Sequence, residues 1–242
     1  MRQEKTVSSS LVIQPDGIGT RKARCVILKK IFGWFAQKND PPSGGGPPPG
    51  GGGFGLPMAP EQAEQEALFA EKIEAHGKWL QSSGARGERA DFAGAHLEII
   101  SLFMVNLSKA DLREARLAGA NAQWANLDGA DLAGVNLERA DLFQSSLEGA
   151  NLTGARMAGA NMMSADLKFA DVTNADLTGA DLRGASLQRT KLAGANLTDA
   201  LIDEADLELA DIRGVDLSGV KGLTPEQAEG ALKDGETLFP DI

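Results

Sequence analysis

Residues 110–134 read ADLRE ARLAG ANAQW ANLDG ADLAG, and the same five-residue pattern runs without insertion or deletion from Ala90 to Gly219, 26 pentads in all. Taking the third residue of each pentad as its centre, Leu fills 19 of the 26 centres. Phe92, Met157, Met162, Val172, Ile202 and Ile212 fill six of the others, and only Ala122 is small. Two places before the centre stands Ala, 20 times; one place before it stands Asp or Asn, 18 times; two places after it stands Gly, 12 times. A period of five fits neither regular element. On an α-helix it advances by about 140°, so the Leu would spiral around every face. A plain strand alternates with period two. The chain must therefore turn a corner every five residues, with Gly collecting where a positive φ eases the turn. The first and third residues of each pentad point the same way, so Ala and Leu face inward.

Four such corners close a square coil of twenty residues. Coils stacked at the strand spacing of ~4.8 Å make a rod of roughly 31 Å around an axis of Leu and Ala. The tandem A(D/N)LXX pattern resembles the pentapeptide-repeat family. That resemblance implies an all-β solenoid, a right-handed quadrilateral parallel β-helix. The pattern's length gives about 6.5 coils over 90–219, and short α-helical caps are expected at both ends. By the spacing alone, an Asp at the second position is a solvated side chain near a turn.

A stacked rod leaves two open ends that need covering. Residues 58–89 are expected to hold an N-terminal capping helix over 60–82. Its Pro60 stands near the first turn, Gly84 follows its end, and Phe69, Ile73, His76 and Leu80 share one face, widened by Leu68, Ala75 and Trp79. His76 reads as a packing or surface residue. After the rod, 220–242 read as a C-terminal capping helix and tail. Thr224 and Gln227 form a capping box, Pro225 opens the helix and Gly235 stops it, while Ala228 and Leu232 face the last coil. Residues 41–57, PPSGGGPPPGGGGFGLP, are a linker. The preceding arm, 1–40, is basic: eight Lys or Arg against three acids. Within 21–38, Lys29 and Lys30 adjoin Ile31, Phe32, Trp34 and Phe35, the composition of a short helix lying on an anionic membrane surface. A partner-docking peptide, or an arm with no role, has the same composition.

The chain carries 34 acidic and 24 basic residues, a formal charge of −10, and the rod alone holds twenty acids against ten bases. Direct nucleic-acid binding by an acidic rod is not expected. One Cys excludes an intrachain disulfide and a Cys-based zinc cage, and two His leave little for metal or acid–base chemistry. With no catalytic constellation and a filled axis, the chain is expected to be non-catalytic and to need no cofactor. No apolar run reaches ~20 residues and no secretory leader is evident, so a cytoplasmic protein is expected, peripheral on the inner membrane face if the arm binds lipid.

Function should then lie on the outer walls, and residues twenty apart share a wall. Around the centres 102, 122, 142 and 162 stand Phe103, Met104, Trp124, Phe143 and Met163, an apolar cluster that no other wall shows. Such a patch is expected to contact a protein partner or a second copy, as in a homodimer, unless the arm or the 60–82 helix covers it. Behind Trp124, Ala122 leaves room either for the ring or for a small cavity. A second wall carries an acidic column, Asp91, Asp111, Asp131, Asp171 and Asp211, suited to cations, to a basic partner or simply to solvent. Two functions follow. One is a protein–protein interaction scaffold with a tethering arm. The other, implied by the resemblance, is an acidic DNA mimic directed at DNA gyrase or topoisomerase IV that protects against quinolones. Against the second, those relatives tend to carry Phe at central positions, and here Phe92 is the only Phe centre.

Overall fold

The computed structural model describes residues 60–240. Helix α1 (Pro60–Gln81) leads into the repeats, and helix α2 (Pro225–Gly230) follows them. Between them the chain winds into coils joined by single-residue parallel bridges between positions twenty apart, such as Asp111 to Asp131, Asp131 to Asn151 and Asn151 to Asp171.

The sequence pattern dictates this winding because a pentad with Asp or Asn at its second position can satisfy all of its backbone donors. The N–H of a centre donates to the next coil, as from Phe92 to the Asp111 carbonyl at 2.7 Å, and so does that of the fifth residue, as from Gly94 to Arg113 at 2.8 Å. The second residue donates back, as from Asp111 to Ala90 at 3.0 Å, and the first closes the turn, as from Ala95 to Phe92 at 3.0 Å. The fourth N–H has no backbone partner. It is met by the side chain two residues earlier: Asp91 Oδ1 accepts from Ala93 at 3.0 Å, and Asn106 Oδ1 accepts from Ser108 at 3.0 Å. All 18 Asp and Asn at second positions make this bond. Those residues are thus turn-closing groups, not merely solvated ones. An unpaired backbone group at each corner would cost free energy repeatedly along the rod.

Every centre is buried, Ala122 included, and so are the first-position residues from Ala90 to Val220 except Ala95 and Val105, which are half-buried in the first coil. The fifth residues occupy the left-handed region at 24 of the 26 corners, Gly at eleven of them and another residue at thirteen. Ile99 is one exception. A β-branched side chain disfavours positive φ, and the bridge that would join Ser101 to Asn121 is missing, whereas those on either side, His96–Arg116 and Asn106–Asn126, form. The ladder slips once more near the far end, where the Asp199 N–H meets the Gly219 carbonyl at 3.0 Å in place of that of Ser218.

Helix α1 lies on the first coil with the expected face. Phe69 and Ile73 are buried, and the Phe69 ring packs 5.1 Å from Phe92. Leu68, expected to widen that face, is exposed. Ser83 and Gly84 both take positive φ, and the Gly84 N–H bonds the Trp79 carbonyl at 2.8 Å, so the helix stops there.

At the other end the expectation needs correction. The capping box of Thr224 and Gln227 forms, but α2 ends at Gly230, not near Gly235. The reason is recapture by the ladder: Leu232 bridges Asp211, Leu238 bridges Asp216, and the Leu232 N–H donates to Ala210 at 2.8 Å. Lys221 likewise bridges Leu201. The stretch 220–238 therefore continues the coil irregularly, with Leu223, Ala228, Ala231 and Thr237 turned inward and Leu232 and Leu238 left exposed.

Candidate functional site

The apolar wall is built as its register implies. The corner amides of Met104, Trp124 and Gln144 donate to the carbonyls of Gln123, Phe143 and Met163, each at 3.0 Å, which holds those corners one above another. Phe103 is 45% exposed and Trp124 40% exposed, while Met104, Phe143 and Met163 are half-buried. The Trp124 ring meets Phe143 edge-on, with centroids 6.1 Å apart and planes at 82°. The indole lies outward across its neighbour, so it does not fill the space at Ala122. Gln123 stands between Phe103 and Phe143, so the wall comprises an upper pair, Phe103 and Met104, and a lower cluster. At its lower edge Arg183 reaches to 3.6 Å from Met163 Sδ while bonding Asp181 at 2.7 Å. Helix α1 contacts Phe92, Asp91, Ala90 and Ser108 and leaves the wall open.

The acidic column also forms, with Asp91, Asp111, Asp131, Asp171 and Asp211 in one stack of bridges completed by Asn151 and Lys191. Its charge is interleaved with cations. Asp111 bonds Arg113 at 2.9 and 2.6 Å, with Arg89 3.7 Å away; Lys191 lies 3.1 Å from Asp171; Arg213 lies 2.6 Å from Asp211. The Arg113 guanidinium holds the Asp111 carboxyl below the usual carboxylate range, and Arg213 does the same for Asp211. One oxygen of each carboxylate is already committed to the turn amide. His96, in the rod's first coil, stands 3.9 Å from Glu98.

A second outward cluster was missed. Phe169 is 51% exposed and Leu209 39% exposed, with Arg189 between them, and together with Gln188 and Glu208 they line a cavity of about 320 Å³. The expectation that no other wall carries exposed apolar groups is therefore corrected. The twenty-residue spacing of positions 169, 189 and 209 held the signal, spread over the last coils where Lys, Glu and Gln dilute it.

The arm residues Lys29, Lys30, Ile31, Phe32, Trp34 and Phe35 lie outside the described residues. Among the described residues, no helix is long and apolar enough to cross a membrane, and no three His, Cys, Asp or Glu are placed to hold a metal ion.

Compared with known proteins, residues 106–142, 140–179 and 180–219 match the model for pentapeptide repeats, in eight copies. Among solved structures, the chain is similar to HetL, a pentapeptide repeat protein involved in heterocyst differentiation regulation from the cyanobacterium Nostoc sp. strain PCC 7120. That match has 26% identity and a TM-score of 0.30, over 68% of this chain and 97% of that one. It is similar also to a pentapeptide repeat protein of the Arabidopsis thaliana thylakoid lumen, with 26% identity and a TM-score of 0.22, over 50% of this chain and 70% of that one. Full-length QnrB1, a plasmid-mediated fluoroquinolone resistance protein, matches at 13% identity with a TM-score of 0.23, over 63% of this chain and 92% of that one. No protein of curated function matches the sequence.

Proposed function

Because this chain belongs to the pentapeptide-repeat family through residues 106–219, we propose that it is a non-catalytic scaffold whose right-handed β-helix offers an apolar wall to a protein partner or to a second copy of itself. The observation that carries this reading is the exposure of Phe103 and Trp124 on one wall with Met104, Phe143 and Met163 beside them. Large apolar groups open to water on one wall favour association, since covering them removes apolar area from solvent at roughly 25 cal/mol per Å². In this reading α1 and the 220–238 segment close the two ends of the rod, which leaves the walls as the working surface.

The decisive experiment is the double variant Trp124→Glu with Phe143→Glu. Neither side chain belongs to the Leu axis, so the circular dichroism spectrum and melting profile should stay those of the wild type. Self-association by sedimentation, or capture of a partner, should fall at least tenfold, because two desolvated hot-spot side chains carry about 2 kcal/mol or more. Binding unchanged by both charges removes the wall from the account.

The acidic DNA-mimic reading rests on the rod's excess of acid. The interleaving of Arg89, Arg113, Lys191 and Arg213 with the aspartates weighs against it. Inhibition of gyrase supercoiling by the double variant at wild-type strength would favour it over the scaffold. The basic arm is proposed to tether the rod to anionic lipid, on the composition of 21–38. Deleting 1–40 should release the protein from phosphatidylserine vesicles in a flotation assay, and a full chain that never floats with them ends the tether.

A further inference from the structure

We infer that the edge carrying Phe169, Arg189 and Leu209 is a second docking groove, one that takes an extended peptide placing a carboxylate between two apolar side chains. It lies on a different column of corners from the apolar wall, so the two readings stand or fall separately.

Backbone conformation is the first observation. Phe169, Arg189 and Leu209 hold φ of 59°, 57° and 58° at three successive corners of one edge, where eleven corners of the rod use Gly. The left-handed corner is the rod's ordinary geometry, shared with ten other non-Gly corners, and on this edge it turns three large side chains outward one above another. The neighbouring corners of the same edge at 129 and 149 are Gly.

The second observation is chemical. Phe169 and Leu209 are exposed walls of a cavity of about 320 Å³ whose middle is Arg189. The Arg189 guanidinium lies 5.7 Å from the Phe169 ring centre. Among the described residues no carboxylate comes within 4.0 Å of it, whereas Arg113, Arg156, Arg183 and Arg213 each have one. Gln188 on the rim is turned aside to Asp206 at 2.5 Å. Lys109 and Arg139 of the rod are likewise without a carboxylate among the described residues, but Arg189 is the one of the three flanked by exposed Phe169 and Leu209.

The charge selects the occupant. One guanidinium, with Glu208 also at the rim, suits a monoanionic carboxylate better than a dianionic phosphate. Geometry selects the form. Phe169 and Leu209 are two coils apart, roughly 10 Å at the strand spacing. A polyproline II segment brings residues three apart to the same side at about 9.3 Å.

The probe is a pooled set of fluorescein-labelled peptides with Gly-Ser flanks. Leu, Ile, Phe or Met stands at the first and fourth core positions, Glu, Gln or Lys at the second, and any residue at the third. The full-length chain should retain the Glu pool roughly tenfold or more over the Gln pool, as a charged hydrogen bond warrants. Arg189→Asn, which tolerates positive φ, should abolish that preference. Phe169→Asn with Leu209→Asn should weaken all three pools. The Trp124→Glu, Phe143→Glu variant should retain them unchanged. Equal retention of the three pools by the wild type, or a Glu preference that survives Arg189→Asn, overturns the groove. So does concentration-dependent self-association lost on Arg189→Asn, which would make its occupant a second copy.

Discussion

Replacing Leu132 with Ala should lower the rod's stability by roughly 2–5 kcal/mol and move its urea midpoint down accordingly. Leu132 has no exposure and stands at a centre between Leu112 and Leu152, both fully buried on the same column. Its removal leaves a void that coils held together by their amide ladders cannot close, because the spacing between coils is set by hydrogen bonds of about 2.7 Å on either side. In a solenoid each coil contacts only its neighbours, so the loss falls on two interfaces and can split the unfolding transition. The matched control is Leu209→Ala, a Leu 39% exposed at a corner, which should cost well under about 1 kcal/mol. Equal midpoints for the two variants would mean that the centres are not a dry axis.

The second large effect is expected at His76, which fastens α1 to the coils. The ring is fully buried. Its Nδ1 accepts from the Ala90 N–H at 3.1 Å, so Nε2 carries the proton and donates to the Ser108 carbonyl at 3.0 Å. Trp79 stacks on the ring at 5.7 Å. His76→Ala should loosen α1 by roughly 2–4 kcal/mol, because it opens a cavity under Trp79 and strands the buried Ala90 N–H and the half-buried Ser108 carbonyl, at about 1–3 kcal/mol for a fully buried group. Exchange of the α1 amides, followed by mass spectrometry, reads this directly, and wild-type protection in the variant would refute the clasp.

The same ring makes the seat of α1 sensitive to acid. Burial pushes the His76 pKa below its usual 6.5; the Ser108 carbonyl opposes this and the Arg89 charge adds to it. A proton on Nδ1 would also point at the Ala90 N–H. The folded state therefore resists a proton that the unfolded chain accepts. The contribution is complete above 6.5 and declines as pH falls from 6.5 toward the lowered folded value. Protection of α1, corrected for intrinsic exchange, should drop between pH 7.5 and pH 5.5 in the wild type, and His76→Phe should remove that dependence.

Much of this molecule is legible in order. The centres from Phe92 to Leu217 lie inside as the five-residue period requires, and so do the first positions apart from Ala95 and Val105, which the first coil leaves half-buried. The face of α1 built on Phe69, Ile73 and His76 followed from helical spacing, and the Thr224–Gln227 box from its motif. The rest was illegible for specific reasons. The Asp and Asn at second positions looked like solvent-facing acids until the fourth amide of each pentad was seen to lack any other acceptor. The tail 220–238 reads as a helix and a loose end, since its pentad register is gone, yet its backbone still finds open donors and acceptors on the last coil. Phe169 and Leu209 are ordinary apolar letters in isolation.

The sequence alone determined the period, hence the coil, the Leu axis and the list of side chains that share each wall, because one repeat length admits one way of burying its apolar positions. Only the tertiary structure decided which outward residues are answered by neighbours and which are left free. Asp111 with Arg113, His76 with Ala90 and Ser108, and Arg189 with no carboxylate among the described residues are settled by rotamers, packing and hydrogen bonds in three dimensions. A repeat fixes where a side chain starts, and the surroundings it meets fix what it can do.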